Sequence, residues 1–249
     1  MRARNDKRVR RAVVLLSGGL DSATTLYCAR KSGYKVSCLT FDYGQRHNRE
    51  VSAARRIARA AGCACTVLKI RLPWKGSSLL DKRQVIPRAT QSPGLSAESG
   101  MAAHADYAGY RVTGEIPSTY VPARNIIFLS YALSFAEAIK AKAVFIGANA
   151  VDYSGYPDCR PQFYRAFEKV VATGTKAGVQ KQAIRVITPL LALTKAQIIT
   201  LGTALGVPYA MTWSCYRGKK RACGVCESCR LRAKGFHEAK ITDPALKKR

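Results

Sequence analysis

Acidic side chains are scarce in this sequence, and long apolar runs are missing from it. Only 15 Asp and Glu stand against 42 Lys and Arg in 249 residues, a formal net charge of +27. No apolar run reaches the roughly 20 residues of a membrane helix. The basic start precedes an apolar stretch too short for a signal peptide. The sequence therefore predicts a soluble, cytoplasmic protein that does not enter a membrane.

The excess of positive charge limits the classes of binding partner but does not identify one of them. It attracts polyanions, so nucleic acid and nucleotide substrates are both candidates, although a need for solubility would give the same balance. The basic residues are spread along the chain, and the aromatic RNA-binding pattern R-G-F-G-F is missing. Nucleic acid is therefore not favoured as the partner.

Strand-like and helix-like segments alternate along the chain. Near-continuous apolar runs predict strands at 12–16, 35–41, 63–70, 143–147 and 184–187. Apolar residues at helical spacing predict helices at 21–31, 50–61, 124–140, 161–173 and 195–205. This order is typical of an α/β protein with a parallel sheet and helices on both faces. We expect ligands beyond the carboxyl ends of the strands, where the order of winding reverses.

Two segments interrupt this alternation and suggest how the chain is divided. We expect residues 1–212 to form a nucleotide-binding domain and residues 213–249 a small cysteine-rich module. The segment 72–118 is rich in Pro, Gly, Ser and Ala. It is long for a structureless loop, so we expect short helices and an excursion over the site.

Residues 17–22 read S-G-G-L-D-S between the first predicted strand and the first predicted helix. The N–H groups at a helix start carry partial positive charge and bind phosphate. Gly18 and Gly19 let the backbone approach a ligand, and Ser17 and Ser22 add hydroxyl donors. Asp21 can cap the helix or help to hold a divalent cation. An ordinary strand-to-helix turn is the alternative, and the G-x-x-x-x-G-K-[ST] loop is missing.

Two further segments are expected at the same edge of the sheet. The second strand ends in L-T-F-D-Y-G-Q-R-H at residues 39–47, where an apolar end could flank adenine and a polar run could reach phosphate or substrate. Residues 120–125 read Y-V-P-A-R-N and place Arg124 and Asn125 at a helix start, a position that suits an anion. Alone, an Arg in solvent and a structural His47 remain ordinary alternatives.

The segment 147–160 reads G-A-N-A-V-D-Y-S-G-Y-P-D-C-R and follows the fourth predicted strand. Asp152 and Asp158 can accept hydrogen bonds from the amidine-type N–H groups of a purine-like edge. Tyr153 or Tyr156 can stack on a ring, and Arg160 can pair with a carboxylate. The sequence therefore predicts a site for a flat polar ring.

Four of the nine cysteines follow a metal-binding spacing: Cys215, Cys223, Cys226 and Cys229. Two overlapping C-x-x-C pairs and one further cysteine supply the four thiolates of a structural zinc site. An iron–sulfur cluster uses the same ligands, and a redox C-x-x-C is a weaker rival.

Taken together, these motifs and P-L-L-A-L-T-K-A-Q-I at 189–198 resemble the QueC family of PP-loop ATP pyrophosphatases. The resemblance covers the chain from about Val13 to Phe236, in order. It implies an adenine nucleotide α-hydrolase type of Rossmann-like fold and a zinc-containing enzyme of queuosine precursor synthesis. Such an enzyme uses ATP, Mg²⁺ and ammonia to convert 7-carboxy-7-deazaguanine to the nitrile preQ0. A homodimer is left open.

The resemblance also implies roles for individual residues. ATP would be bound by Leu16, Ser17, Gly18, Gly19, Leu20, Asp21, Ser22, Ala23, Leu39, Thr40, Phe41, Arg124 and Asn125. The deazapurine would be bound by Gln45, Arg46, His47, Asp152, Tyr153, Ser154, Tyr156, Asp158 and Arg160. The catalytic set would be Ser17, Asp21, Ser22, Asp152, Asp158 and Arg160.

Three other functions are considered. A PP-loop enzyme that modifies tRNA would explain the charge, but it predicts an RNA-binding domain that is not found. A QueC-like enzyme that attaches a deazaguanine to a protein would keep every motif. A zinc-ribbon binding module without catalysis is disfavoured by the intact S-G-G-L-D-S turn.

Overall fold

A computed structural model describes residues 9–74, 76–88, 116–149 and 156–245. Its five strands form one sheet in the order β3-β2-β1-β4-β5, and every neighbouring pair is parallel. The strands are β1 (Arg11–Leu15), β2 (Lys35–Asp42), β3 (Ala64–Lys69), β4 (Ala143–Ile146) and β5 (Arg185–Ile187). The predicted parallel α/β fold is confirmed.

The helices cover both faces of the sheet, as the alternation predicts. They are α1 (Leu20–Lys31), α2 (Arg49–Ala60), α3 (Arg124–Ala138), α4 (Pro161–Gly174), α5 (Lys176–Val179), α6 (Lys195–Ala204) and α7 (Glu227–Glu238). The side chains of β1 alternate between the faces: Val14 packs with α1, α2 and α6, and Val13 packs with α3 and α4. None of the described helices is long and apolar enough to cross a membrane.

The order of winding reverses at β1, which places a crevice there. From β1 the chain builds β2 and β3 on one side, and it then crosses to β4 and β5 on the other. The chain leaves the carboxyl ends of β1 and β4 toward opposite faces of the sheet, beside the S-G-G-L-D-S turn. Ligands of open parallel sheets bind at such a point.

The two segments that interrupt the alternation are built differently from each other. In the described parts of 72–118 the chain forms turns rather than the short helices that we expected, and residues 89–115 lie outside the described residues. The cysteine-rich segment ends in α7, which packs on α6 and buries Phe236 in the core of the α1 face. The division after residue 212 remains a prediction.

Candidate functional site

The S-G-G-L-D-S turn is held close to α2 and leaves the start of α1 open. Gly18 has φ +87°, and a Cβ there would lie 2.2 Å from the carbonyl oxygen of Glu50, so glycine is required. The hydroxyl of Ser17 bonds that of Ser22 at 3.0 Å. No side chain caps α1 at Gly19. Its first-turn N–H groups are therefore open to an anion.

A buried lysine from the other end of the chain meets this helix start. Lys195 Nζ donates to both carboxylate oxygens of Asp21, at 2.8 and 2.9 Å. A capping box between Thr194 and Gln197 fixes the start of α6 and thus the position of Lys195. Sequence reasoning missed Lys195 as a site residue. The sequence feature that could have identified Lys195 is its place in the first turn of a predicted helix, where the helix dipole disfavours positive charge.

The start of α3 is occupied from within the protein. The backbone N–H of Asn125 donates to Asp158 Oδ2 at 3.0 Å, and the Asn125 side-chain amide donates to the Asp158 carbonyl at 3.1 Å. Burial raises the pKa of the Asp158 carboxyl, and the Asn125 N–H and Arg124 oppose that shift. Although burial alone lowers the pKa of Arg124, the Tyr43 and Asp158 side chains raise it overall, so its guanidinium stays charged.

The polar run after β2 contacts two neighbouring segments. The Arg46 guanidinium donates to the carbonyls of Ser78, Asp81 and Gln84, and so ties the described part of the 72–88 segment to the site. His47 Nε2 lies 3.0 Å from the Cys215 carbonyl oxygen, and its buried Nδ1 has no partner among the described residues. The Gln45 side chain accepts from the Tyr43 N–H at 2.8 Å.

These elements enclose a cavity of about 250 Å³ at the carboxyl edge of the sheet. Phe41 and Phe128 stack in its wall with ring centroids 4.0 Å apart, and Tyr43 meets Phe128 edge-on at 5.3 Å. Predicted site residues that line the cavity are Leu16, Ser17, Gly19, Leu20, Asp21, Ser22, Leu39, Phe41, Gln45, Arg46, His47, Arg124, Asn125 and Tyr156. The structure thus brings four separate motifs to one crevice.

Other predicted site residues lie elsewhere. Ala23 and Thr40 are buried beneath the turn, and the Thr40 hydroxyl donates to the Leu16 carbonyl at 2.8 Å. Gly18, Asp158 and Arg160 are close to the site without lining the cavity. The buried Nε of Arg160 has no partner in the described part of the chain. Asp152, Tyr153 and Ser154 fall outside the described residues.

A second residue that sequence reasoning missed is Glu50, in the first turn of α2. It lines the cavity near Arg124 and Tyr43. Burial raises the pKa of the Glu50 carboxyl to about 7, although the positive charge of Arg124 opposes the shift. A carboxylate at a helix start is ordinary in sequence terms, so its place in the cavity could be found only from the fold.

The four predicted metal ligands form a cluster against the cavity. Their sulfur atoms all lie within 4.8 Å of one another, and the Cys223 and Cys229 sulfurs are 4.0 Å apart. A tetrahedral zinc site with Zn–S bonds of about 2.3 Å requires sulfur separations of roughly 3.8 Å. The donor set and spacing therefore fit a zinc ion.

The cysteine-rich segment is joined to the S-G-G-L-D-S turn by a backbone hydrogen bond. The Trp213 N–H donates to the Gly18 carbonyl at 2.9 Å. Arg49 donates from Nε to the Gly218 carbonyl at 3.0 Å and lies over the Trp213 ring. Trp213, Ser214 and Tyr216 line the cavity, so this segment forms one of its walls.

Comparisons with known proteins agree with the motifs. The family profile of queuosine biosynthesis protein QueC matches residues 11–240. The 7-cyano-7-deazaguanine synthase of Anaeromyxobacter sp. (strain Fw109-5) is 51% identical over 95% of this chain and 96% of its own length. That of Methylococcus capsulatus is 51% identical over 94% of this chain and 96% of its own length.

A solved structure, the NMN synthetase of Francisella tularensis, is a distant likeness. It has a TM-score of 0.45 and 14% identity over 95% of this chain and 90% of that chain, too remote to inform function. The family profile spans residues 11–240 of the 249-residue chain. The two relatives are each 51% identical to this chain over 94% or more of its length. The chain therefore belongs to the QueC family of queuosine biosynthesis proteins.

Proposed function

We propose that this protein makes 7-cyano-7-deazaguanine from 7-carboxy-7-deazaguanine, ammonia and ATP. One observation carries the proposal: an open helix start, two buried cations and an aromatic wall share a single crevice of about 250 Å³. The curated relatives are named for this product. The tRNA-modifying and protein-attaching alternatives have no such support.

The chemistry needs the substrate oxygen to become a leaving group. A carboxylate oxygen attacks the α-phosphorus of ATP, which releases pyrophosphate and gives an acyl adenylate. Ammonia displaces AMP and leaves the amide. The amide oxygen attacks a second ATP, and loss of AMP and protons gives the nitrile. Each oxygen of the acid thus departs on one AMP.

The cations of the cavity suit these steps. The first-turn N–H groups of α1, with Ser17 and Ser22, would hold the phosphates that leave as pyrophosphate. Lys195 and Arg124 would neutralise charge that develops at the α-phosphate, where fixed charges in a desolvated site act most strongly. The Asp21 oxygens each keep a lone pair with which this residue would hold Mg²⁺.

The four cysteines would hold zinc as a structural ion. Four thiolates leave no open position for water, so the ion would fold the wall of the cavity and take no part in the chemistry. Through the hydrogen bond from the Trp213 N–H to the Gly18 carbonyl, the bound ion would then stabilise the S-G-G-L-D-S turn.

The proposed roles of the remaining predicted residues follow from their positions. Asp158 would fix the start of α3 and so aim Arg124. Arg160, whose Nε has no partner among the described residues, would bind the carboxylate of the substrate. Asp152, Tyr153 and Ser154 remain predicted ring contacts. We also propose small-molecule substrates and a cytoplasmic location, and the homodimer remains a prediction.

The experiment is mass spectrometry of a reaction that contains carboxydeazaguanine, ATP, magnesium and ammonium. The proposal predicts the nitrile with two AMP and two pyrophosphate for each product molecule. Release of ADP and phosphate, or AMP formation without any change in the deazapurine, would contradict it.

A further inference from the structure

The cavity holds an acidic side chain that the proposed chemistry does not yet use. Asp21 and Glu50 are the acidic residues among those that line it, and Asp21 is engaged by Lys195 at 2.8 Å. In the described part of the chain, no group donates a hydrogen bond to the Glu50 carboxylate. Both of its oxygens are therefore available to a ligand.

The position of Glu50 is fixed with respect to the anion-binding turn. Its carbonyl oxygen occupies the space that a Cβ on Gly18 would need, 2.2 Å away. Its side chain stands near Tyr43 and Arg124, beside the aromatic wall that Phe41 and Phe128 form. A flat ring against that wall would present its edge to this carboxylate.

A carboxylate is unfavourable in a site for anions, even with the positive charge of Arg124 near it. ATP and a carboxylate substrate are both repelled by it, and a partly buried carboxylate that receives no hydrogen bond from the described residues is unfavourable. A sequence with only 15 acidic residues nevertheless places one here. A ligand that brings N–H donors to this point would satisfy the carboxylate.

The ligands of the proposed reaction offer different sets of donors. Adenine presents an amino group beside a ring nitrogen that has a lone pair, so a carboxylate would gain one hydrogen bond and meet one repulsion. Ammonia is a single small donor. A guanine-type edge presents a ring N–H and an exocyclic N–H side by side, which match the two oxygens of a carboxylate.

We infer that Glu50 is the specificity-determining residue that accepts the ring N–H and the exocyclic amino group of the deazaguanine. The inference rests on the proposed function and extends it. It gives the guanine-type edge an acceptor that lines the cavity, whereas Asp158 does not line it and is already engaged with Asn125. The deazapurine ring then lies on the aromatic wall between Glu50 and Arg124.

The test measures how the exocyclic amino group and the Glu50 carboxylate depend on each other. Calorimetry without ATP gives the Kd of carboxydeazaguanine and of its analogue that lacks the 2-amino group, for the wild type and for Glu50→Gln. The wild type should bind the amino compound at least tenfold more tightly. Glu50→Gln keeps the size of the side chain, and it should remove most of that preference.

Controls separate this role from the others. Glu168→Gln removes an exposed negative charge on α4 and should keep the preference. The KM for ATP and the KM for ammonium should change less than twofold in Glu50→Gln, and its thermal midpoint should not fall. Glu50→Asp, with a shortened side chain, provides a second variant, and its preference should be weaker than that of the wild type.

The outcomes against the inference are distinct. An unchanged preference in both Glu50 variants overturns it, and so does a defect confined to the KM for ammonium or for ATP. If the wild type neither binds carboxydeazaguanine nor forms AMP with it, the proposed function fails instead. If the wild type converts the compound but Glu50→Gln discriminates normally, only the inference fails.

Discussion

Helices α1 and α3 begin at the same edge of the sheet, but they differ in whether a side chain accepts hydrogen bonds from their first-turn N–H groups. At α1 no side chain caps the first turn, and its N–H groups face the crevice. At α3 the Asp158 carboxylate accepts the Asn125 N–H inside the protein. The first-turn N–H groups of α1 are thus left open, whereas α3 uses its backbone to hold Arg124 at the cavity.

The cysteine cluster should affect these two helix starts unequally. Cys226→Ser removes one of four thiolates, and structural zinc contributes about 10 kcal/mol to folding in small modules. We expect loss of metal and a lower thermal midpoint. Hydrogen exchange should show lost protection at 213–230 and at the anion-binding turn, while α3 stays protected.

Cys28→Ser is the matched control, since Cys28 lies outside the cluster. Elemental analysis of the wild type should find one zinc for each chain. Iron and sulfide in the isolated protein would contradict the zinc assignment, and equal loss of protection at both helix starts would contradict the comparison.

Replacement of Lys195, the buried cation beside the start of α1, should impair catalysis. Lys195→Met leaves Asp21 without its ion-pair partner. Removal of a fixed charge that stabilises a transition state costs on the order of 10²-fold or more in kcat. AMP formation should fall accordingly. Lys142→Met, an exposed lysine near β4, should have normal activity, and a Lys195 variant with normal kcat would disprove the role.

Replacement of Asp158, beside the start of α3, should lower the free energy of unfolding more than it lowers activity. Asp158→Ala leaves the buried N–H of Asn125 without its acceptor, which costs about 1–3 kcal/mol. Asp158→Asn keeps an oxygen acceptor and should recover much of that loss in denaturant unfolding. If Asp158→Asn is stable but no longer binds the deazapurine, Asp158 contacts the ring directly.

The smallest expected effect is a pH-dependent stabilisation on replacement of Glu50. Its pKa is about 7 in the fold against an ordinary 4.5, so the folded state disfavours the charged form. The resulting destabilisation grows as pH rises through that window and is complete above it. Glu50→Gln should therefore stabilise the protein more at pH 8 than at pH 5. Equal stabilisation at both values would argue against a raised pKa.

Local patterns predicted the fold because they depend on neighbouring residues. The apolar runs of β1 and β4 and the helical spacing of α2 are visible in short windows, and the S-G-G-L-D-S turn marks the sheet edge. The helix α7 was not predicted. Its segment has few apolar residues at helical spacing, and the cysteine pattern dominates its start.

The site was harder to predict because its contacts join distant residues. Lys195 and Asp21 are 174 positions apart, and no window shows both. The carboxylate of Asp158 looked available for a ligand, but it is engaged by a helix start 33 positions earlier. The Arg46 guanidinium likewise donates hydrogen bonds to the backbone carbonyls of Ser78 and Asp81.

The central claim is that oxygen of the substrate acid attacks the α-phosphorus of ATP in this crevice. The most direct measurement uses carboxydeazaguanine with ¹⁸O in both carboxylate oxygens and follows AMP by mass spectrometry. Both AMP molecules formed for each nitrile should carry one ¹⁸O. Unlabelled AMP would contradict the claim.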